Sequence, residues 1–249
     1  MTIQTTLIIF ISSIISSFLS SISWWWASII SLPIFLLAWV SLPLSIATHK
    51  VSSMFWTPIS AMNYLKWKKI DWKFLLTFAL IWLIWAYFWI KAIMIIDNKI
   101  LSKVIGIIIL LIIIHNYRKK NLWIKEKNII SIKKEYFSYF IALIMWFYES
   151  ILWSGNWILF ATLTFYTKGF DFIEALGYYF AIAFFWVTFW AILLINKWFF
   201  DIKIMLASVI WSIFWSYFGS KYAKYKGNKF IKNLFIIIWT ILSIKLLLM

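Results

Sequence analysis

The sequence predicts an all-α, polytopic membrane protein with about eight transmembrane helices, arranged as two parallel repeats of four. Hydrophobic residues make up 65% of the 249 residues, against roughly 45–50% in a soluble domain. Apolar stretches of about 20 residues alternate with short, lysine-rich segments, as membrane-spanning helices and their loops do. Similar residue patterns also recur in the two halves of the chain. Together these observations predict a multi-pass protein of the lipid bilayer.

The apolar stretches predict spans at residues 4–22, 43–65, 72–96, 99–116, 136–152, 171–196, 200–220 and 230–248. Two further apolar pieces, 27–38 and 157–167, directly follow the first and fifth spans. Because they are too short to cross a bilayer, each is interpreted as the second half of a broken helix. The breaks lie near 24–26 and 153–157.

The two halves of the chain resemble each other at an offset of about 130 residues. Asp71 falls on Asp201, and Lys73 falls on Lys203. An even number of spans in each half gives both halves the same orientation, as in a parallel repeat. The predicted domains are a first membrane repeat at 1–116, a basic connecting loop at 117–135 and a second membrane repeat at 136–249. The distribution of Lys and Arg predicts cytoplasmic termini in a bacterial inner membrane.

Composition also excludes several kinds of site. The chain has no cysteine, which removes disulfides, thiolate metal sites and iron–sulfur clusters. The net charge of +16 suggests nucleic acid at first, but the lysines flank apolar spans rather than form one basic face. No P-loop and no metal-ligand cluster is present in the sequence. The partners predicted are therefore lipid and a small anion, with no cofactor, no metal and no nucleic acid.

Tryptophan is abnormally frequent, with 20 Trp beside only 6 Gly. At the repeat offset, Trp39 pairs with Gly169 and Trp89 with Gly219. UGA is read as tryptophan in one variant genetic code and as glycine in another. The hypothesis is that most of these tryptophans are glycines in the natural protein, with Trp72 as a true tryptophan. UGA codons are predicted at Trp24, Trp25, Trp26, Trp39, Trp56, Trp85, Trp146, Trp153, Trp157 and Trp215.

With glycine at those positions, five segments carry a family resemblance. Residues 24–33 become a Gly-Gly-Gly run leading to a proline, and residues 47–50, Ala-Thr-His-Lys, are similar to Ala-Thr-Asn-Lys. Residues 70–73, Ile-Asp-Trp-Lys, are similar to Val-Asp-Trp-Arg. Residues 146–149 resemble Gly-Phe-Tyr-Asp, and residues 153–157 resemble Gly-Pro-Gly-Thr-Gly. This combination resembles the sulfite exporter TauE/SafE family, which implies a membrane transporter and not an enzyme.

The two glycine-rich breaks and the segment around Lys50 form the candidate anion site. Glycine lets successive backbone N–H groups converge on an anion, and a half-helix that starts there adds about +0.5 of partial charge. The alternative is that the glycines only let helices cross closely. Lys50 pairs with the anion or, alternatively, snorkels to the surface. The predicted anion-binding residues are Trp24, Trp25, Trp26, Thr48, His49, Lys50, Trp153, Ser154, Gly155, Asn156 and Trp157.

Tyr148 and Glu149, next to the second break, are predicted to couple transport. A carboxylate there could carry a coupling proton or hold Lys50. The alternative is a carboxylate that caps a helix or reaches an aqueous vestibule. The function predicted is secondary export of a small anion such as sulfite or an organosulfonate. The alternatives are an intramembrane enzyme and a non-transporting scaffold or biogenesis factor.

Overall fold

The fold is all-α across the residues that the structure, a computed structural model, describes. These are 3–23, 31–92, 131–152, 156–196 and 200–248, with Ile107, Leu111, Ile114, Tyr117 and Arg118. Within them lie eight helices: α1 (Ile3–Ser23), α2 (Leu32–Leu37), α3 (Leu42–Leu65), α4 (Trp72–Ala92), α5 (Ile132–Leu152), α6 (Asn156–Thr167), α7 (Phe172–Asn196) and α8 (Ile202–Leu248).

The described helices lie at the predicted spans and half-helices, with two differences: α5 begins at Ile132 rather than at 136, and α8 covers the last two predicted spans. The short α2 and α6 lie where the second halves of broken helices were predicted. Gly227, with φ 78° and ψ 174°, interrupts α8 between its two predicted spans. By length and hydropathy alone, two helices of the described ranges could cross a membrane, Phe172–Asn196 and Ile202–Leu234. Most of the fourth predicted span, 99–116, lies outside the described residues.

The chain forms two compact units. The first unit combines Met1–Ile70 with Gly177–Tyr225, and the second combines Asp71–Leu176 with Lys226–Met249. Each unit therefore takes segments from both predicted repeats. The repeats at 1–116 and 136–249 stay a prediction from the sequence.

Small hydroxyl residues pack α1 against α8 in the first unit. Ser13 Oγ donates to Ser208 Oγ at 3.0 Å, and both serines are buried. At Gly219 a Cβ would collide with the Phe18 carbonyl oxygen and with Ser21 Oγ. Small residues let helix backbones approach this closely, as is usual between membrane helices. The buried serines recur every three or four residues: Ser12, Ser13, Ser16, Ser17, Ser20 and Ser21 on α1, and Ser208, Ser212, Ser216 and Ser220 on α8.

Aromatic rings form the interior of the second unit. The Phe78 and Phe160 rings meet edge to face with centroids 5.1 Å apart. Trp157 and Phe172 do the same at 5.3 Å. Edge-to-face contacts of this kind add about 0.5–1.5 kcal/mol each to the gain from burial alone. This packing connects α4 to α6 and α6 to the start of α7.

One lysine joins three elements of the second unit by ion pairs. Lys168 Nζ lies 2.8 Å from Asp71 Oδ2 and 3.0 Å from Glu135 Oε2. The Tyr139 hydroxyl donates to Glu135 Oε1 at 2.8 Å. Partial burial alone would raise the pKa of Asp71 and Glu135, but the hydrogen bonds and charge of Lys168 outweigh it. The pKa of both carboxyl groups is therefore lowered.

This network predicts an acid-sensitive stability. A carboxyl group whose folded pKa is lowered stabilises the fold above its unfolded pKa and loses that effect as the pH falls through the folded pKa. The ordinary values are 3.8 for Asp71 and 4.5 for Glu135. We expect Lys168→Met to lower the neutral-pH melting temperature by about 2–4 °C, as a loss of about 1 kcal/mol does. Below pH 4.5 the difference from the parent protein should shrink.

Thermal unfolding in detergent between pH 7 and pH 3 measures this. Lys133→Met is the matched control, because Lys133 is exposed and lies two residues before Glu135. An equal loss of stability in the two variants at pH 7 would contradict the network's role. So would a constant gap between Lys168→Met and the parent protein across the whole pH range.

Trp39 ends α2 in a backbone conformation that normally requires glycine. Its φ is 63°, and the Val40 amide donates to the Phe35 carbonyl at 3.0 Å. This is the helix-ending arrangement in which a glycine usually takes the left-handed position. Gly169, its predicted repeat counterpart, ends α6 with φ 81°. The two half-helices thus end in the same backbone conformation.

Trp67 occupies a second glycine-type position. Its φ is 73°, and the Lys68 amide donates to the Leu65 carbonyl at 2.9 Å across the turn. Lys66, with φ −55° and ψ 124°, makes this a type II turn. Such a turn requires a positive φ at its third residue, where glycine is the rule. In the described ranges, every residue other than glycine with a positive φ is a tryptophan.

Candidate anion-binding site

Lys50 is the centre of the candidate site in the first unit. It lies nine residues into α3, within a predicted span, and only 4% of its surface is exposed. Its Nζ lies over the Trp186 ring of α7, 4.1 Å from the ring centroid. A cation is attracted to the face of an indole ring by about 0.5–2 kcal/mol. The ammonium group is thus held inside the unit and does not reach the surface.

The two residues before Lys50 in the chain are also buried polar groups, on other sides of α3. His49 Nδ1 lies 3.4 Å from the Ser31 hydroxyl. Ser31 is the first described residue after the break predicted at 24–26. Thr48 is fully buried, and its hydroxyl has no hydrogen-bond partner among the described residues. Buried polar groups normally have a partner, so an orphaned hydroxyl fits a place for a polar ligand.

A polar face extends from Lys50 along α3. Ser53, Thr57, Ser60 and Tyr64 follow Lys50 at spacings of three and four residues, which places them on one side of the helix. All four are buried. Within the described part of the chain, the Thr57 and Ser60 hydroxyls lack a hydrogen-bond partner. Lys50 thus heads a row of buried hydroxyl groups.

Two contacts between α3 and α7 mirror each other. Lys50 contacts Trp186, and Trp56 contacts Phe180 edge to face with centroids 5.6 Å apart. At the repeat offset of 130, residue 50 corresponds to residue 180 and residue 56 to residue 186. Applying this offset to the pair 50 and 186 gives the positions of the pair 180 and 56. This agreement supports the repeat. Only the first of the two pairs contains a cation.

A comparison with known protein families identifies the family of this chain. The profile of the family described as Sulfite exporter TauE/SafE matches residues 8–246. The chain belongs to the sulfite exporter TauE/SafE family. Membership makes it a multi-pass membrane transporter, and the resemblance found in the sequence is confirmed. No curated protein and no solved structure matches the chain significantly.

Parts of the family-like motifs lie outside the described residues. Trp24, Trp25 and Trp26 of the first break belong to this group, as do Trp153, Ser154 and Gly155 of the second. The backbone of α5 includes Tyr148 and Glu149, but the positions of their side chains are not described. Their roles in this family member stay predictions.

The second unit contains the remaining predicted residues. Asn156 is the first residue of α6, beside the second break. Trp157 is 1% exposed and packs on Phe172. Its indole ring therefore belongs to the aromatic interior of that unit.

Three further residues belong to the candidate site of this TauE/SafE member and were not predicted from the sequence. Trp186, Thr57 and Ser60 are not among the site residues that the sequence predicts. The spacing of Thr57 and Ser60, seven and ten residues from Lys50, was a usable signal, because it puts them on the face of Lys50. Nothing in the sequence pointed to Trp186, since the contact joins two helices that are far apart along the chain.

Proposed function

We propose that the chain exports a small anion, sulfite or an organosulfonate, as a secondary transporter with Lys50 as the binding cation. The burial of Lys50 within α3 carries this proposal. A lysine at such a depth costs roughly 2.5–3.5 kcal/mol on insertion scales. That cost is offset when the cation binds an anion, so a buried lysine at the end of a row of buried hydroxyls favours a binding role.

The polar groups around Lys50 suit an oxyanion. The ammonium group donates a charge-assisted hydrogen bond to an oxygen of the anion, which is about twice as strong as a neutral one. The hydroxyls of Thr57 and Ser60 lie farther along the same face of α3, about 10 and 15 Å from residue 50, and are donors for an anion that moves along this face. The glycine-rich breaks at 24–26 and 153–157 would add backbone N–H groups. In this proposal Tyr148 and Glu149 couple transport to a proton that moves inward as the anion leaves, so a negative interior drives both movements.

The energy for export comes from the membrane potential. Expelling a monovalent anion from a negative interior releases about 2.3 kcal/mol per 100 mV. The sequence has no P-loop, and this mechanism needs no nucleotide.

Proteoliposomes test the proposal. Purified protein is reconstituted into vesicles loaded with sulfite, and a potassium gradient with valinomycin imposes a potential of either sign. We expect sulfite efflux that accelerates at least severalfold when the interior is negative. A panel of methanesulfonate, sulfoacetate, sulfate and chloride then ranks the substrates.

Protein-free vesicles with the same lipid and gradient give the background. Flux at the background level for every anion in the panel would contradict transport and leave the scaffold interpretation. Chemical turnover of an anion inside the vesicles would instead support an enzyme.

A further inference from the structure

We propose that the side chain at position 186 controls access to the anion site: the Trp186 ring occupies the space over Lys50 that the anion needs. A smaller side chain at 186 would open that space. This inference rests on the proposed function, in which Lys50 binds the anion. It adds the residue that decides whether an anion can reach the cation.

The ring and an anion compete for the same side of the ammonium group. The Trp186 ring centroid lies 4.1 Å from Lys50 Nζ, and both side chains are at least nine-tenths buried. An anion oxygen bonded to the ammonium must lie about 2.7–2.9 Å from Nζ. The face of an aromatic ring is also electrically negative, so it attracts the cation and repels an anion. Ring and anion therefore exclude each other on that side of Lys50.

The orphaned hydroxyls indicate where the ligand would reach. Thr57 and Ser60 lie on the Lys50 face of α3 and are fully buried. In the ranges that the structure describes, neither hydroxyl has a hydrogen-bond partner. Hydroxyls in such a position normally bond to protein or to ordered water. Seven and ten residues correspond to about 10 and 15 Å along α3, so an anion that leaves Lys50 along this face would meet the two hydroxyls one after the other.

The contact between Trp56 and Phe180 serves as a control for the contact between Trp186 and Lys50. Trp56 packs on Phe180 as Trp186 packs on Lys50, and Trp56 is also buried. Removing the indole at position 56 opens a similar space beside an apolar ring. Only the space at position 186 faces a cation, so only that one should bind an anion. The indole is larger than a sulfite or sulfonate group, which fits a small oxyanion as the occupant.

The experiment measures sulfite binding to purified protein in detergent by calorimetry. We expect Trp186→Gly to bind sulfite about tenfold more tightly than the parent protein, because a competing cation–ring contact is removed. Trp186→Ala keeps a good helix former and should show the same direction of change. Trp186→Phe retains a ring and should bind like the parent. Trp56→Gly, the matched control, should also bind like the parent, and size-exclusion profiles show which variants are folded.

Two results would overturn the inference: folded Trp186→Gly and Trp186→Ala proteins that bind sulfite no better than the parent, or an equal gain in Trp56→Gly. Adding Lys50→Met to Trp186→Gly should remove the gain. A failure of the proposed function has a different signature. In that case either the parent protein itself shows only background flux in vesicles, or the Lys50→Met protein, with Trp186 unchanged, retains the full flux of the parent.

Discussion

We expect Lys50→Met to lower sulfite flux by about 100-fold in proteoliposomes while leaving the protein folded and inserted. Losing a hydrogen bond from a charged group costs up to about 3 kcal/mol, which corresponds to roughly that factor. Methionine fills a similar space without the charge, and Lys50 is 4% exposed. Removing a buried cation also removes its desolvation cost, so the stability should be unchanged or higher. A loss of flux without a loss of stability separates a binding role from a structural one.

Lys232→Met is the matched control, because Lys232 is also a buried lysine, with 5% exposure, and lies in the second unit. Its flux should equal that of the parent protein. Initial rates at several sulfite concentrations and melting temperatures in detergent give both quantities. Undiminished flux in Lys50→Met, or an equal loss in both variants, would remove Lys50 from the proposed site.

The second large effect concerns the glycine-type turns. Trp39→Gly and Trp67→Gly should each stabilise the protein by about 1–2 kcal/mol, the usual cost of a left-handed conformation for a residue with a Cβ. The two side chains are 96% and 90% exposed, so little packing is lost on their removal. Because the two positions lie in separate turns, the effects should add in the double variant. Chemical unfolding in detergent, followed by near-ultraviolet circular dichroism, measures the change.

Trp72→Gly is the control for this prediction. Trp72 is the first residue of α4 and is 61% exposed. Since a glycine within a helix is less favourable than other residues by up to about 1 kcal/mol, this variant should be no more stable than the parent. Stabilisation by Trp72→Gly to the same extent would show that the effect does not come from the turns.

The gene sequence tests the same hypothesis directly. If UGA is translated as glycine at positions 39 and 67, the positive φ at each turn no longer strains the backbone. Trp72 begins a helix and has no positive φ. We expect UGA at positions 39 and 67 and UGG at position 72. UGG at positions 24, 25 and 26 would refute the recoding hypothesis. The glycine-rich first break of the proposed site would then be lost as well.

Hydropathy and composition were sufficient to locate the helices. A transmembrane helix needs about 20 apolar residues in a row, and that requirement is local in the sequence. The bounds of α3 and α7 could therefore be predicted to within a residue or two. The repeat offset also predicted that Trp39 and Gly169 are equivalent, and both have a positive φ. The position of Lys50 inside a span followed from the same pattern.

Only the tertiary structure decided which side chains meet. Lys168 pairs with Asp71, a residue 97 positions away in the chain, and Lys50 lies under a ring of α7. No periodicity in one helix specifies which neighbour it faces, because many packings bury the same apolar area and satisfy the same backbone hydrogen bonds. The choice among them depends on side-chain fit, such as the close approach at Gly219. That fit, which involves several helices at once, placed Trp186 rather than solvent over the cation of α3.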